Sequence, residues 1–386
     1  QSANSASNTL DNNTLDNTSI EPTTLAARLA RPELLKLTPY QSARRLGGRG
    51  DIWINANESP FNNVAVGELD LTKLNRYPEC QPPALINAYS QYSGVVESKI
   101  VASRGADEAI ELLIRAFCVP GIDSIATFGP TYGMYAISAQ TFNVGVKALS
   151  LTAEYGLPSD FATATRGAKL VFICNPNNPT GTVIDKARIE QAIQALPDAI
   201  VVVDEAYIEF APQATLANEL ANYPHLVILR TLSKAFALAG LRCGFTLAAP
   251  EVINALKKLI APYPIAEPVA QIAALALAPA GIAQMQQSVA TINQLRQEFC
   301  QFAQGLEGVQ KVWPSNANYV LLQVANAADC VSALIQNDIL IRNQSSQLGL
   351  SEVVRVSIGN ADEMQRLTQA MQQYFSNLAN KERASA

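Results

Sequence analysis

Histidine is almost absent from this chain, since His225 is the only one in 386 residues. One histidine cannot build a multi-histidine zinc centre, and a structural role is the simpler interpretation because His225 opens an apolar run. The six cysteines are scattered without close pairs at metal-ligand spacing, and several lie in apolar runs. We therefore expect no metal site and no thiol nucleophile, but buried free thiols in a reducing compartment.

The chain also lacks an excess of basic over acidic residues and any long apolar run. The formal net charge is −5, which argues against a nucleic acid as the main ligand because such binding needs a basic face. The longest apolar stretch, residues 270–283, is too short to span a bilayer and contains Pro279. Residues 1–30 are rich in Asn, Ser and Thr and resemble no signal peptide, so we expect a disordered tail. A cytoplasmic protein without membrane partners is the resulting expectation.

Short apolar runs alternate with helical patterns between residues 100 and 249. Several runs, such as Ile-Val-Val-Val before Asp204, are apolar at consecutive positions, which is typical of strands covered on both faces by helices. We therefore predict an α/β fold with a mostly parallel central sheet. The predicted strands are 100–103, 124–128, 169–174, 199–203, 226–229 and 243–248.

A second, smaller α/β unit is predicted after the break at Pro262-Tyr-Pro264. Its expected helices are 283–305, 327–336 and 361–378, and its expected strands are 318–324, 339–342 and 353–358. A chain of 386 residues exceeds the usual size of a single core, so two domains are the natural expectation.

The most specific motif is Ser233-Lys234 followed by Gly-Leu-Arg242-Cys-Gly. A lysine in a largely apolar loop can be held as the neutral amine by desolvation, which Schiff-base formation with an aldehyde requires. Ser233 offers a hydroxyl, and Arg242 offers a planar fork that suits phosphate oxygens. Alone, Lys234 could equally be an ordinary solvated lysine.

Polar residues follow two of the predicted strands. Asp204 ends an apolar strand, where a buried carboxylate needs a cationic partner such as a protonated pyridine nitrogen. Tyr207 comes three residues later, and Asn178 lies in the turn Asn-Pro-Asn-Asn-Pro-Thr-Gly after another strand. Either side chain could donate a hydrogen bond to a phenolic oxygen on the same pyridine ring, called the ring oxygen below. Taken singly, these residues also fit a helix cap, a core tyrosine and a plain turn.

A helix is predicted to open after Arg104-Gly105, where the backbone amides of Ala106 and Asp107 would point toward a phosphate. An ordinary capped helix is the alternative. Tyr132, just after a strand, could stack on a planar ring. A phosphate cradle, an acid for a ring nitrogen and an amine, in this order along the chain, predict a pyridoxal 5′-phosphate site.

From about Leu37 to the C-terminus, the chain resembles the fold-type-I aminotransferases and, within them, the histidinol-phosphate aminotransferase family. Three segments carry the closer resemblance: Leu-Thr-Pro-Tyr-Gln-Ser-Ala-Arg-Arg (37–45), Ile-Asn-Ala-Asn-Glu-Ser-Pro (54–60) and Leu-Asn-Arg-Tyr-Pro (74–78). A departure from the family pattern is Ser59, where Asn is frequent.

The resemblance implies a role for each matching residue. Lys234 would bind the cofactor aldehyde, Asp204 the ring nitrogen, and Tyr207 and Asn178 the ring oxygen, while Tyr132 stacks on the ring. The implied phosphate ligands are Ala106, Asp107, Ser233, Arg242 and, from the neighbouring subunit of a homodimer, Tyr77. The implied substrate-pocket residues are Tyr40, Asn57, Arg342 and Arg355.

The implied activity is transamination of L-histidinol phosphate with 2-oxoglutarate, giving imidazole-acetol phosphate and L-glutamate in histidine biosynthesis. Three alternatives stay open: an aromatic amino-acid aminotransferase, a lyase resembling threonine-phosphate decarboxylase, and a non-catalytic binding protein on the same scaffold. The expected organisation is a tail (1–30), an arm joining the small domain (31–60), a large cofactor-binding domain (61–275) and a small C-terminal domain (276–386).

Overall fold

The computed structural model describes residues 24–63 and 67–385. The described residues before Tyr40 belong to one compact unit, and those from Tyr40 onward belong to another. In the first unit, the described part holds a short helix, α1 (Leu25–Leu29), and a single 3₁₀ turn, Leu34–Lys36. Residues 1–23 of the expected tail lie outside the described residues.

The second unit contains all the strands and ten further helices among the described residues. The strands are β1 (Ile52–Trp53), β2 (Ile100–Ser103), β3 (Ser124–Gly129), β4 (Gly145–Ser150), β5 (Leu170–Cys174), β6 (Ile200–Asp204), β7 (Leu226–Thr231), β8 (Gly244–Ala248), β9 (Val309–Val312), β10 (Tyr319–Val324), β11 (Ile339–Leu340), β12 (Arg342–Asn343) and β13 (Val353–Ser357). The helices are α2 (Pro83–Ser93), α3 (Gly105–Phe117), α4 (Met134–Thr141), α5 (Phe161–Ala164), α6 (Lys186–Ala195), α7 (Pro250–Lys257), α8 (Glu267–Ala276), α9 (Pro279–Gln304), α10 (Ala327–Ile335) and α11 (Ala361–Ser385).

A seven-stranded sheet forms the centre of this unit, in the order β2-β8-β7-β6-β5-β3-β4. Only β8 runs antiparallel to its neighbours. Strands β5, β7 and β8 are buried at every position, including Arg230 in β7, as expected for strands that are covered on both faces. The predicted α/β fold with a mostly parallel sheet is confirmed, and all six predicted strands are present.

The register of the parallel strands decides where the polar strand-end residues meet. Asp204 at the end of β6 lies beside Cys174 at the end of β5 and beside Leu229 in β7. The turns that follow β5, β6 and β7 therefore leave the sheet at one edge, which is where open α/β folds bind ligands.

Two smaller sheets complete the fold. The antiparallel sheet β12-β13-β10-β9 carries Arg355 in β13, opposite Leu321 and Arg342. β1, from the expected arm, pairs in parallel with β11. The single strand expected at 339–342 is wrong, because β11 pairs with β1 whereas β12 joins the four-stranded sheet.

The helices begin and end where the sequence supplies the signals. Pro279 occupies the first turn of α9, where its missing N–H costs nothing, and Gly305 caps the other end of the helix. The predicted C-terminal helix is longer than expected, since α11 continues to Ser385. Among the described residues no single helix is long and apolar enough to cross a membrane, and the pair α8–α9 that passes jointly is bent by 70°.

The six cysteines are free thiols. Four of them are buried, whereas Cys80 and Cys300 are half-buried rather than fully buried as expected. The domain boundaries stay a prediction, although the seven-stranded sheet lies within residues 100–248 and the four-stranded sheet within 309–357.

Candidate active site

A cavity of about 570 Å³ opens at the edge of the central sheet where β5, β6 and β7 end. Its wall contains every residue predicted for the site except one. These are Tyr40, Asn57, Ala106, Asp107, Tyr132, Asn178, Asp204, Tyr207, Ser233, Lys234, Arg242, Arg342 and Arg355. Asn55 and Arg355, which are 300 positions apart in the chain, thus meet in one pocket.

Asp204 is the buried acid of this cavity. One carboxylate oxygen, Oδ2, accepts a hydrogen bond of 2.5 Å from the Tyr135 hydroxyl, and Oδ1 accepts one of 3.0 Å from the amide of Ala206. Burial raises the pKa of Asp204 to about 6, while these two hydrogen bonds oppose that rise. Asp204 forms no ion pair with any residue in the described part of the chain. A cationic ligand would relieve the cost of its burial.

Lys234 is the amine of the cavity. Its Nζ donates a long hydrogen bond of 3.4 Å to the carbonyl of Ala56 and lies 5.6 Å from the centre of the Tyr207 ring. Burial, helped by the positive charge of Arg355, lowers the pKa of Lys234 to about 8. A substantial fraction of the amine is therefore neutral near physiological pH, and a neutral amine is the nucleophile that condenses with an aldehyde.

Tyr207 stands beside the acid and the amine with its hydroxyl held from one side. The Asn57 amide donates a hydrogen bond of 2.9 Å to the Tyr207 oxygen. Burial raises the pKa of Tyr207, so the hydroxyl keeps its proton at neutral pH. Tyr207 is therefore a hydrogen-bond donor, as its predicted contact with a ring oxygen requires.

Arg355 connects the small sheet to the turn after β5. Its guanidinium donates to Asn178 Oδ1 at 2.6 Å and to the carbonyl of Asn55 at 3.0 Å. Because the oxygen of Asn178 is occupied, its NH₂ group is left to donate into the cavity. The buried Nε of Arg355 has no protein partner among the described residues, so this guanidinium keeps donor capacity for an anion.

An anion cradle lies at the start of α3. The first amides of this helix, including those of Ala106 and Asp107, have no partner within the helix and carry its positive dipole end. Arg242 reaches Ser233 Oγ at 3.4 Å and Asp107 Oδ2 at 3.4 Å, which brings its guanidinium to the same place. The cradle therefore offers backbone, hydroxyl and guanidinium donors to one phosphate.

Close backbone approach makes this cradle possible. A Cβ atom on Gly244 would lie 2.7 Å from the carbonyl carbon of Gly105 and 2.8 Å from the amide nitrogen of Ala106. Gly105 itself has φ +75°, a conformation that side-chain-bearing residues rarely adopt. Two glycines thus let β8 pack directly beneath the first turn of α3.

Tyr132, Tyr40 and Arg342 form the mouth of the cavity. Tyr132 donates a hydrogen bond of 2.8 Å to Asp107 Oδ1, which fixes its ring, and Tyr40 meets that ring edge-on with centroids 6.2 Å apart. Arg342 donates to the carbonyl of Gln41 and thereby joins the segment near Tyr40 to β12. The mouth thus combines a fixed aromatic face with a cation.

Tyr77 is the predicted residue that lies outside the cavity lining. It is 80 % exposed, and its ring stacks on Tyr263 with centroids 4.2 Å apart. At this exposure, one face of the Tyr77 ring is largely uncovered.

Three polar residues of the site were missed by the sequence reasoning. Tyr135 holds Asp204, Asn55 supplies a carbonyl to Arg355, and Ser357 bonds to Asn57. Tyr135 lies in the same Tyr-Gly-Met-Tyr segment as Tyr132, so the helix that follows Tyr132 was the available signal. Ser357 had none, since nothing nearby in the sequence relates it to Asn57.

Comparison with known proteins identifies the family. Residues 51–371 match the family model described as aminotransferase class I and II. The histidinol-phosphate aminotransferase of Shewanella oneidensis is 68% identical over 371 residues, which cover 95% of this chain and 93% of the relative. That of Pectobacterium carotovorum is 50% identical over 89% of this chain and 97% of the relative.

A solved structure shares the fold. Histidinol-phosphate aminotransferase from Sinorhizobium meliloti, in complex with pyridoxal-5′-phosphate, superposes with a TM-score of 0.78 at 24% identity, covering 91% of this chain and 98% of that one. Together with the matches in sequence, this places the chain in the aminotransferase class I and II family of pyridoxal-phosphate enzymes, among the histidinol-phosphate aminotransferases.

Proposed function

We propose that this chain transfers the amino group of L-histidinol phosphate to 2-oxoglutarate, giving imidazole-acetol phosphate and L-glutamate, as a step of histidine biosynthesis. The observation that carries the proposal is the presence of Lys234, with its lowered pKa, in one cavity with the buried acid Asp204 and an anion cradle. The identity of 68% with a relative of that name supports the choice of substrate.

The residues present fit pyridoxal phosphate. Asp204 is a buried carboxylate without a cationic partner among the described residues, which suits the protonated nitrogen of a pyridine ring. Ser233, Arg242 and the amides of Ala106 and Asp107 suit its phosphate. When bound, the cofactor supplies an aldehyde that condenses with an amine and a ring that withdraws electrons from the substrate Cα.

Each residue then has a task that its contacts allow. Lys234 would hold the cofactor through its side-chain amine, and the same amine would be the base that takes the proton from the substrate Cα. Asp204 would hold a proton on the nitrogen of the cofactor ring. Tyr207 and Asn178 each have a donor to give to the phenolic oxygen of the cofactor, and Tyr132, fixed by Asp107, would cover a face of its ring.

The residues near the mouth of the cavity would bind the anionic group of the substrate. Arg342 in β12 lies opposite Arg355 in β13, so both guanidinium groups line the same wall of the cavity. Tyr40 adds a hydroxyl, and Asn57 borders the same space. Histidinol phosphate and 2-oxoglutarate are both anions, so one cationic wall can serve both half-reactions.

A homodimer in the cytoplasm is part of the proposal. Tyr77, 80 % exposed and outside the cavity of its own chain, is free to reach the cofactor phosphate of a second copy. The free thiols agree with a reducing compartment. We further propose a large cofactor domain over residues 61–275 and a small domain over 276–386 joined by the arm 31–60, with residues 1–30 as a disordered tail.

Two experiments test this function. Borohydride reduction followed by peptide mapping should place the cofactor on Lys234, and an adduct on another lysine would contradict the assignment. A half-reaction titration should convert the bound cofactor to its amine form at lower concentrations of histidinol phosphate than of phenylalanine. The reverse preference would favour an aromatic aminotransferase, and release of carbon dioxide from threonine phosphate would favour the lyase.

A further inference from the structure

Asn57 is held in an unusual position between the small sheet and Tyr207. It is 1 % exposed and has φ +54°, in the left-handed region. Its backbone carbonyl accepts a hydrogen bond of 3.0 Å from the side chain of Asn318. Ser357, which contacts Asn57, is also held by its backbone, since its N–H donates to the carbonyl of Ile54 at 3.0 Å. The backbone around this pair is therefore tied down at both ends.

The hydrogen bonds between Asn57 and Ser357 fix the orientation of the Asn57 amide. The backbone N–H of Asn57 donates to Ser357 Oγ at 2.8 Å, and the hydroxyl proton of Ser357 goes to Asn57 Oδ1 at 3.1 Å. Rotating the amide by 180° would turn Oδ1 away from that buried hydroxyl proton, and an unsatisfied buried hydrogen-bonding group is unfavourable. The NH₂ group of Asn57 therefore faces Tyr207.

The orientation of the amide decides where the proton of Tyr207 goes. Asn57 Nδ2 donates to the Tyr207 oxygen at 2.9 Å, so this side of the hydroxyl is an acceptor. The Tyr207 hydroxyl donates no hydrogen bond to any residue in the described part of the chain. Its proton is thus left to point into the cavity that Tyr207 lines.

We propose that Asn57 and Ser357 are positioning residues that direct the hydroxyl proton of Tyr207 toward the ring oxygen of the cofactor. This inference rests on the proposed contact between Tyr207 and that oxygen. It changes the expected role of Asn57 from a contact with substrate to an action through Tyr207. The chain of donors runs from the backbone N–H of Asn57, through Ser357 and the Asn57 side chain, to Tyr207.

The test exploits a change that reverses one hydrogen bond while keeping the shape of the side chain. In Asn57→Asp the buried carboxylate can only accept, so the Tyr207 proton turns toward it and away from the cofactor. In Asn57→Ala the Tyr207 hydroxyl no longer accepts a hydrogen bond from position 57, but it stays free to donate to the cofactor. The readout is the pH at which the visible absorption band of the bound cofactor changes, measured on the purified holoenzyme without substrate.

A donor to the ring oxygen makes that oxygen less basic, so its loss should raise the pKa read from the absorption band. We expect Tyr207→Phe and Asn57→Asp each to raise it by about one unit, the size of one hydrogen bond to a charged group. Asn57→Ala should raise it less than Asn57→Asp. A purely structural role predicts the opposite order, because alanine leaves a cavity whereas aspartate fills the same space.

The double variant Asn57→Asp/Tyr207→Phe separates the relay from a direct effect of charge. If Asn57 acts through Tyr207, the double variant shows the same pKa as Tyr207→Phe. A further rise in the double variant would mean that the new carboxylate acts on the cofactor directly, and this would overturn the inference. A shift in Tyr207→Phe without one in Asn57→Asp would overturn the relay and leave the proposed role of Tyr207 intact. No shift in Tyr207→Phe would overturn both.

Asn63 supplies the matched control. It is also buried and exchanges hydrogen bonds with a serine: its side-chain Nδ2 donates to Ser288 Oγ at 3.1 Å, and its Oδ1 accepts from that hydroxyl at 3.3 Å. It does not line the cavity. Asn63→Asp makes the same chemical change at a distance from Tyr207 and should leave the pKa of the absorption band where it is in the unsubstituted enzyme.

Discussion

The hydroxyl of Tyr135 donates a hydrogen bond of 2.5 Å to Oδ2 of Asp204, across 69 residues of sequence. Tyr135 is fully buried and stacks on Phe172 with ring centroids 4.7 Å apart, so its hydroxyl has little freedom to turn away. Together with the Ala206 amide, it holds the carboxylate in one orientation. A ring nitrogen bound opposite Asp204 would therefore meet a preorganised acid.

Tyr135→Phe should weaken catalysis while preserving the fold. The phenyl ring keeps the stacking on Phe172, but Asp204 loses a hydrogen bond that lowers its pKa. We expect kcat to fall about tenfold, as for the loss of one hydrogen bond to a charged group. The acid limb of the pH profile of kcat should move to higher pH. Unchanged kcat with an unmoved acid limb would show that Tyr135 only fills space.

In the cofactor-free protein, burial of the Asp204 carboxylate should lower the free energy of unfolding. Burial raises the pKa of Asp204 to about 6, above the value near 3.9 of an unfolded chain. Between about pH 4 and pH 6 the folded state therefore binds more protons than the unfolded state, and stability falls as the pH rises through this window. The loss remains at higher pH until a cation pairs with the carboxylate.

Asp204→Asn tests this trade between stability and activity. Above pH 6 the cofactor-free variant should unfold with a free energy up to about 3 kcal/mol higher than that of the unsubstituted cofactor-free protein. Below pH 4 the difference should vanish. Turnover of the holoenzyme should fall at least about 10²-fold, because the ring nitrogen loses its counter-ion. Urea unfolding at pH 4, 6 and 7.5 measures the first effect, and equal stabilities at pH 7.5 would refute it.

Local signals in the sequence predict much of the fold and of the site, whereas contacts between distant parts of the chain leave no such signal. The buried strands were found because they are apolar at consecutive positions, whereas β4 and β9 were missed because their half-exposed residues carry no such run. Asp204 and Lys234 follow recognisable strands. The pairs Tyr135–Asp204 and Asn57–Ser357 join residues 69 and 300 positions apart, and only the folded chain relates them.

The start of α3 makes a prediction about the phosphate. Gly244→Ala places a Cβ within 2.8 Å of the Ala106 amide, so the first turn of the helix must move away from β8. We expect the affinity of the cofactor-free protein for pyridoxal phosphate to fall at least about tenfold, the equivalent of one charge-assisted hydrogen bond. Binding of pyridoxal, which lacks the phosphate, should change little. Titrations followed by absorbance measure both affinities.

Gly240→Ala is the control for that experiment. Gly240 also lines the cavity, but a Cβ at this position meets nothing within 4 Å. Its substitution should leave the affinity for pyridoxal phosphate unchanged. Equal losses in the two variants would mean that the approach of β8 to α3 is not what holds the phosphate.

A buried ion pair beneath the site should matter for stability rather than chemistry. Arg230 donates to Glu205 Oε2 at 2.7 Å, and Thr215 and the amide of Leu216 complete the hydrogen bonds of the carboxylate. The side chains of Arg230 and Glu205 are both almost fully buried, and Glu205 follows Asp204 directly in the sequence. Removing one partner alone leaves an uncompensated charge in the core.

Arg230→Met should therefore lower the free energy of unfolding by about 3–5 kcal/mol. The double variant Glu205→Gln/Arg230→Met should lose less, because it removes the unpaired charge of Glu205 as well. Arg383→Met provides the contrast: its pair with Glu307 lies at 3.3 Å on the surface with both side chains 71% exposed, and its loss should leave stability unchanged. Denaturant unfolding of the three variants measures these differences. A double variant that loses more than Arg230→Met would contradict the account, because burial of an unpaired Glu205 would then not be the dominant cost.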